Sequence, residues 1–379
     1  MNTYYFDNAA TTKIKEEVLD AMIPYLKEQY GNPSSVYALA RNSKKAIEIA
    51  RENIANLICS SKKEIYFTGS GSETNNTALK GIAFCKKYNG NHIITSRIEH
   101  PSILDTCKFL ENQGFEITYL NVNNNGFISL EELKQSITNK TILISIMFAN
   151  NEIGTIEPIE DIAKIAHSRN ILFHTDALQA TGNIKIDVKN INVDMLSISS
   201  HKIYGPKGVG ALYVKDGVEF EKIINGGHQE KNKRAGTENV AGIVGFGKAA
   251  ELAKTNLEKH ILKMKKLRDY YIDGISRKIS NIRINGAKNA RLPGNTNISF
   301  IGTNSNDLLL ELDNFGICAS AGSACSSKDS KPSHVLTAIG LNSEEIKSAL
   351  RVTFGEFNTL EEIDYLIDHL EKSVSKLRK

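Results

Sequence analysis

Ser197-Ile198-Ser199-Ser200-His201-Lys202-Ile203-Tyr204-Gly205-Pro206-Lys207-Gly208 joins an apolar run to a turn. The run from Val193 to Ile198 reads as a buried strand, and Gly205-Pro206 is a turn signal. Lys202 therefore stands just past a strand end, where an α/β sheet places its chemistry. A lysine taken alone at such a position is ordinarily a solvated surface residue. The company it keeps along the chain decides between the two readings.

Upstream, short apolar runs alternate with stretches of helical spacing. Ile171 to Thr175 reads as a strand that delivers Asp176. An acid directly after a buried strand needs a partner, because an unpaired buried carboxylate is costly. Thr141 to Phe148 is apolar on both faces and is predicted to be a central strand, with Ala149-Asn150-Asn151-Glu152-Ile153-Gly154 as a turn behind it. His92 to Thr95 reads as a strand and Pro101 as the first turn of a helix, which puts His100 at the junction. A lone histidine there is ordinarily a cap or surface group. Glu64 to Thr68 is a strand that runs into Gly69-Ser70-Gly71-Ser72-Glu73-Thr74-Asn75-Asn76 and then a helix through Ala78, Leu79, Ile82 and Ala83. Glycines that admit close backbone approach, with a helix N-terminus behind them, suit a phosphate, and Ser72 adds a hydroxyl. The competing reading of that segment alone is a plain serine-capped helix. Two helices precede it, one through Ile14, Val18, Met22 and Tyr25 and one from about Asn42 to Ile58, separated by the turn formers of Gly31-Asn32-Pro33-Ser34-Ser35.

This alternation predicts an α/β fold with a doubly wound, mostly parallel sheet. Ser72, His100, Asn151, Asp176 and Lys202 then fall at one edge of it: a phosphate cradle, an imidazole, an amide, an acid and an amine. Downstream come a strand from Gly208 to Val214, a long polar loop from Gly226 to Glu238 and a helix from about Asn239 to past Tyr270, within which the domain boundary is placed. The remainder reads as a smaller α+β domain, with strands at Asn297 to Ile301 and Arg351 to Phe354 and a helix from Ser305 to Asn314. Residues 319–332 are small and polar and read as a loop. Thr359-Leu360-Glu361-Glu362 is a capping box that opens the last helix.

Composition narrows the classes. The chain has 379 residues, enough for about two domains, with 41% apolar and 24% charged residues, as in ordinary globular proteins. The net charge of +4 comes from interspersed residues, so nucleic acid is not indicated as a direct ligand. No apolar run has the length of a membrane span, and no signal-peptide pattern is read, so no membrane association is expected. Five scattered cysteines do not form a disulfide framework, and a reducing cytoplasm is the expected location. Cys59, Cys85, Cys107 and Cys318 sit in apolar patterns and are expected to be packing residues.

Along its whole length the sequence resembles the cysteine desulfurases of the NifS/IscS family, which are fold-type-I pyridoxal-phosphate (PLP) enzymes of the class-V aminotransferase superfamily. The resemblance rests on Tyr5-Phe6-Asp7-Asn8-Ala9-Ala10-Thr11-Thr12, Gly31-Asn32-Pro33-Ser34-Ser35, Asn150-Asn151-Glu152-Ile153-Gly154, Ser200 to Gly208, Arg234-Ala235-Gly236-Thr237, Gly322-Ser323-Ala324-Cys325 and Arg351. It implies a large PLP-binding domain over 13–257 with a mostly parallel seven-stranded sheet flanked by helices. It also implies a small domain made of 1–12 and 258–379, which carries the cysteine loop.

The family's roles fall on matching positions. The resemblance implies that Lys202 forms a Schiff base with the cofactor and then moves the substrate Cα proton. Asp176 would pair with the pyridine nitrogen, His100 would stack on the ring and shuttle a proton, and Gln179 would hydrogen-bond the ring oxygen. Gly71, Ser72, Ser199 and His201 would hold the phosphate, and Thr237 would reach the phosphate of the neighbouring subunit of a homodimer. Asn151 would lie near ring and substrate, and Arg351 would clamp the carboxylate of L-cysteine. Cys325 would attack the substrate sulfur as a thiolate, keep it as a persulfide, release L-alanine and pass sulfur to an acceptor protein, either an iron–sulfur scaffold or a tRNA-thiolation enzyme. No resident metal is implied, although Cys325 is a candidate transient iron–sulfur ligand.

Three positions depart from the family pattern: Ser72 stands where a threonine is usual, Tyr37 where a histidine is usual and Ala40 where a glycine is usual. The alternatives to desulfuration are another PLP enzyme of the same fold, such as a selenocysteine lyase or an aminotransferase, and a non-catalytic sulfur-relay scaffold. Intact Lys202, Asp176 and Arg351 speak against the scaffold.

Overall fold

The structure is a computed structural model that describes residues 2–321 and 332–378. After the short strand β1 (Tyr4–Tyr5), seven strands build the main sheet: β2 (Ile65–Thr68), β3 (His92–Ser96), β4 (Glu116–Leu120), β5 (Thr141–Ser145), β6 (Leu172–Asp176), β7 (Met195–Ser199) and β8 (Gly210–Val214). Their order is β2-β8-β7-β6-β5-β3-β4. β8 pairs antiparallel with both neighbours and all other pairs are parallel, so the sheet is mostly parallel.

The sequence pattern explains the layers. Strands β3, β5, β7 and β8 are buried along their whole length, as expected when helices cover both faces. Alternate residues then serve different layers. Ile144, Leu196, Ile198, Ala211 and Tyr213 pack with Ala50, Ile54, Phe246 and Ala249 on one face. Leu143, Met195, Leu212 and Val214 pack with Ala78, Leu79, Ile82 and Ile103 on the other. The helices Ala38–Leu57 and Val240–Lys278 come together through Gly247, where an added Cβ would lie 2.4 Å from the Ala50 Cα.

The helix Val240–Lys278 has 39 residues, about 58 Å of helix. Its first half joins the core just described. Its second half gives Met264, Leu267, Tyr271 and Ile275 to a separate apolar cluster with Phe6, Phe300, Leu350, Val352 and Ile363. That cluster lies on the antiparallel sheet β12-β10-β9, formed by β9 (Ile282–Ile284), β10 (Asn295–Phe300) and β12 (Ala349–Thr353). β11 (Ile317–Cys318) pairs in parallel with β1 and so brings the N-terminal segment to the same side. The capping box of Thr359 and Glu362 is formed and opens the helix Leu360–Leu377. Among the described residues no helix is long and apolar enough to cross a membrane.

Some expectations need correction. The strand predicted over Thr141 to Phe148 ends at Ser145; Ile146 and Phe148 still donate backbone hydrogen bonds to His174 and Asp176, but the chain there bends over the end of β6. The second helix begins at Ala38 rather than Asn42, so Ala40 packs inside it as a buried residue. Of the four cysteines taken as packing residues, only Cys107 is buried; Cys59, Cys85 and Cys318 are half-buried.

Candidate active site

The ends of β6 and β7 open into a cleft lined by His100, Asn151, Asp176, Gln179, Lys202 and Arg351, with Ala9, Ala10, Met147 and Leu178. Each functional side chain arrives by a short route. Asp176 is the last residue of β6, and Lys202 closes the single 3₁₀ turn Ser200–Lys202 that follows β7. His100 is the N-cap of the helix Pro101–Glu111, Asn151 sits in the turn beyond β5, and Arg351 lies on β12.

One wall of the cleft is a hydrogen-bond chain, in which Asn75 Oδ1 is left buried without a partner among the described residues. Asp176 accepts from Asn75 Nδ2 at 2.7 Å and from the Leu178 amide at 3.0 Å. The second hydrogen of Asn75 Nδ2 goes to Ser102 Oγ at 2.8 Å. The Asn75 amide has its nitrogen on this side because a carboxylate accepts and does not donate. Ser102, with its oxygen already accepting, turns its own hydrogen to His100 Nδ1 at 2.8 Å, and the Ser102 backbone N–H donates to the same atom at 3.1 Å. Two donors on Nδ1 leave the imidazole proton on Nε2. Burial holds the His100 pKa below the ordinary histidine value; the charges of Lys202 and His334 lower it further, against the opposing pull of Asp176. The ring is therefore neutral at neutral pH.

The N-terminal segment crosses the mouth of the cleft. Lys202 Nζ donates to the carbonyls of Ala9 and, at 2.8 Å, Ala10. Gln179 Nε2 also donates to the Ala9 carbonyl, at 2.9 Å. Thr12 binds the His201 carbonyl through both its amide and its hydroxyl at 3.0 Å, and Thr11 Oγ1 meets His201 Nδ1 at 3.2 Å. Burial, then Lys202 and Lys207, push the His201 pKa down to about 4.

The opposite wall is built on Arg351. Its Nη2 pairs with Asp7 Oδ1 at 2.7 Å, its Nη1 donates to the Asn151 carbonyl at 3.1 Å, and its Nε is buried with no acceptor. Behind the cleft lie three buried acids, of which Glu152 feels the Arg351 charge and Glu99 that of Asp176. Burial raises Glu99 and Glu157 to about 8 and raises Glu152 as well. Glu152 accepts from Ser333 Oγ at 2.6 Å, and His334 Nε2 meets the Glu99 carbonyl at 2.9 Å.

Gly71 and Ser72 begin a 16-residue helix, and their N–H groups precede its first internal bond, from the Thr74 amide to the Ser70 carbonyl. Ser70, rather than Ser72, is the cap. An added Cβ on Gly71 would lie 2.2 Å from Leu178 Cδ2, so a larger residue there would require the Leu178 side chain to move. Ser72 opens on an adjoining groove with His100 and Ser102. Ser199 Oγ is buried with no partner at the end of β7. Thr237 lies away from the cleft, in a separate hollow with Thr68, Gly69 and Arg234. Arg234 pairs with Glu73 at 2.9 Å, and Glu73 also accepts from the Gly69 amide, which ties that loop to the glycine turn. Cys325 lies outside the described residues, as do Gly322, Ser323 and Ala324.

These residues fit pyridoxal phosphate. A buried carboxylate whose described partners are neutral donors suits a protonated ring nitrogen. Free helix-terminal amides and the orphaned Ser199 hydroxyl suit a phosphate. The sequence reading does not single out Asn75, Ser102 or Asp7. Asn75 carried a signal: it is a polar residue on the same helix face as Ala78, Leu79 and Ile82. Asp7, like Asp176, is an acid placed just after a strand.

Comparisons with known proteins bear on this geometry. The class-V aminotransferase family model matches residues 4–366. Cysteine desulfurase IscS of Clostridium botulinum is 52% identical over 377 residues, which cover 99% of this chain and 95% of the relative. IscS of Methanosarcina thermophila is 50% identical over 374 residues, covering 99% and 92%. Among solved structures, a NifS-like protein superposes with a TM-score of 0.93 at 37% identity, covering 99% of this chain and all of the other.

Proposed function

The chain belongs to the class-V aminotransferase family and is a fold-type-I, PLP-dependent cysteine desulfurase, and on that premise we propose how its residues divide the reaction. When bound, pyridoxal phosphate supplies an aldehyde for the substrate amine and a ring that takes up electrons. Lys202 would hold the cofactor covalently and, with substrate bound, would move the Cα proton. Asp176 keeps the ring nitrogen protonated. His100 covers the ring and shuttles a proton through Nε2, and Gln179 turns from the Ala9 carbonyl to the ring oxygen. Gly71, Ser72, Ser199 and His201 hold the phosphate, and Thr237 reaches the phosphate site of a second subunit. The working unit is therefore a homodimer.

Arg351 and Asn151 fix the carboxylate of L-cysteine. Cys325 attacks the substrate sulfur as a thiolate: an S–S bond forms, the C–S bond breaks and its electron pair stays with the carbon fragment, which leaves as L-alanine after protonation. The persulfide is handed to an acceptor for iron–sulfur assembly or tRNA thiolation, in the cytoplasm. Residues 13–257 carry the cofactor, and 1–12 with 258–379 form the domain that carries Cys325.

The observation behind this reading is the meeting of Asp176 and Lys202, at the ends of the adjacent strands β6 and β7, with His100, the cap of the helix after β3, in one cleft that also takes Arg351. The test follows alanine and sulfide together, with L-cysteine and added PLP, in the wild type and in Cys325→Ala. Matched products in the wild type, both lost in the variant, support the persulfide route. Alanine or pyruvate formed without Cys325 would keep the fold and move the reading to another PLP chemistry.

A further inference from the structure

Arg351 is a cation in an unusual position. Its side chain is 2% exposed, and its one acidic partner among the described residues is Asp7, whose side chain is 15% exposed. A buried guanidinium without a counter-ion would cost several kcal/mol, so the pair explains how the cation is tolerated when no ligand is present. The two residues are not held equally. Arg351 is fixed by its strand and by the Asn151 carbonyl. The Asp7 backbone is fixed too, by the bridge to Thr353, by the Ala10 amide and by the Tyr5 hydroxyl, both 3.0 Å from the Asp7 carbonyl. The Asp7 carboxylate, in contrast, makes this one hydrogen bond among the described residues and keeps an edge in water. Its side chain alone can rotate away at little cost.

We propose that Asp7 is a displaceable stand-in for the substrate carboxylate on Arg351, and so sets how tightly the site holds L-cysteine and how readily it lets L-alanine go. This rests on the reading of Arg351 as the carboxylate clamp. Substrate and product carry the same carboxylate, and two anions cannot both be fully satisfied by one guanidinium. Arrival of L-cysteine turns Asp7 out to solvent. Departure of L-alanine is assisted because Asp7 returns to the vacated N–H groups and spares the cation an unpaired state. Asp7 is a positioning and specificity residue here, and it never touches the reacting atoms.

The experiment compares L-alanine and ethylamine, which is alanine without its carboxylate, as inhibitors of PLP-loaded wild type, Asp7→Asn and Arg351→Lys. Asp7→Asn keeps the shape and removes the charge. It should lower the inhibition constant of L-alanine about three- to tenfold, the range of a partly exposed ion pair, and lower KM for L-cysteine in parallel. Inhibition by ethylamine should be unchanged, which a general loosening of the fold would not produce. Asp7→Ser serves the same purpose if the asparagine variant fails to fold. If Arg351→Lys weakens L-alanine but Asp7→Asn leaves it unchanged or weaker, the stand-in role is wrong and the clamp stands. If Arg351→Lys leaves L-alanine unchanged, the carboxylate binds elsewhere and both readings fall.

Discussion

Among the described residues Asp176 receives two donors, from Asn75 at 2.7 Å and the Leu178 amide at 3.0 Å, whereas the Asp7 carboxylate meets Arg351 alone. Asp176 closes a strand of the buried seven-stranded sheet and is 5% exposed; Asp7 follows a two-residue strand and keeps contact with water. The two walls of the cleft therefore differ in how far their side chains hold one another. On the Asp176 wall each side chain fixes the next, from Asn75 to Ser102 to His100, which suits a group that stays through every turnover. On the Arg351 wall a single ion pair joins two separately anchored residues, which suits a ligand that enters and leaves. Preorganisation is spent where nothing needs to exchange.

The largest effect should follow from removing the charge on the fixed wall. Asp176→Asn can still accept a hydrogen bond but no longer holds a protonated ring nitrogen, and kcat for alanine formation should fall by at least about a hundredfold. A variant within tenfold of wild type would break the comparison, because the buried acid would then be structural. A smaller effect is expected from Asn75→Ala, which touches neither substrate nor cofactor and works through Asp176 and Ser102. Loss of such a supporting partner costs about ten- to a hundredfold in activity at comparable sites. The pH profile carries the sharper signature. Without Asn75, the Asp176 carboxylate loses one of its two donors, so its raising pull on His100 is less compensated and the His100 pKa moves up from its lowered value. The acidic limb of kcat should shift to higher pH in Asn75→Ala and not in a surface control.

The sequence made the fixed wall far more legible than the exchangeable one. Asp176 and Lys202 follow apolar runs whose burial is dictated by the sheet, so their placement could be argued from the strands alone. His100 was readable as a junction residue, and it is a cap; its orientation through Ser102 and Asn75 required the helix Gly71–Lys86 to be docked beside β6. The reversed direction of β8 was not readable, because an isolated strand carries no sign of which way it pairs. Arg351 and Asp7 are 344 positions apart, and nothing local announces their meeting. The strand pairs β1–β11 and β10–β12, with the isolated bridge between Asp7 and Thr353, create it. The expected packing role of Cys59, Cys85 and Cys318 failed for a related reason: apolar neighbours in sequence do not say how deep a short element lies.

The smallest expected effect sharpens the comparison from behind the cleft. The turn that carries Asn151 returns through Glu157, whose Oε2 accepts from the Ile128 amide at 3.3 Å and whose Oε1 is buried with no partner. Among the described residues no cation answers it, and burial raises its pKa from 4.5 to about 8 in the folded protein. Between those two values the folded state holds a proton that the unfolded state has released, so stability falls as pH rises across that window and the penalty is complete above it. Glu157→Gln keeps one acceptor and one donor side without an ionisable group. Its melting temperature should match wild type near pH 5 and exceed it by a few degrees at pH 8.5, since a few kcal/mol spread over a chain of this length shifts the midpoint by only about that much. Glu99 titrates in the same range and remains in both proteins, so the variant should flatten the decline without abolishing it. An equal gap at both pH values would mean that Glu157 ionises as an ordinary carboxyl. The turn behind Asn151 would then carry a buried charge at neutral pH.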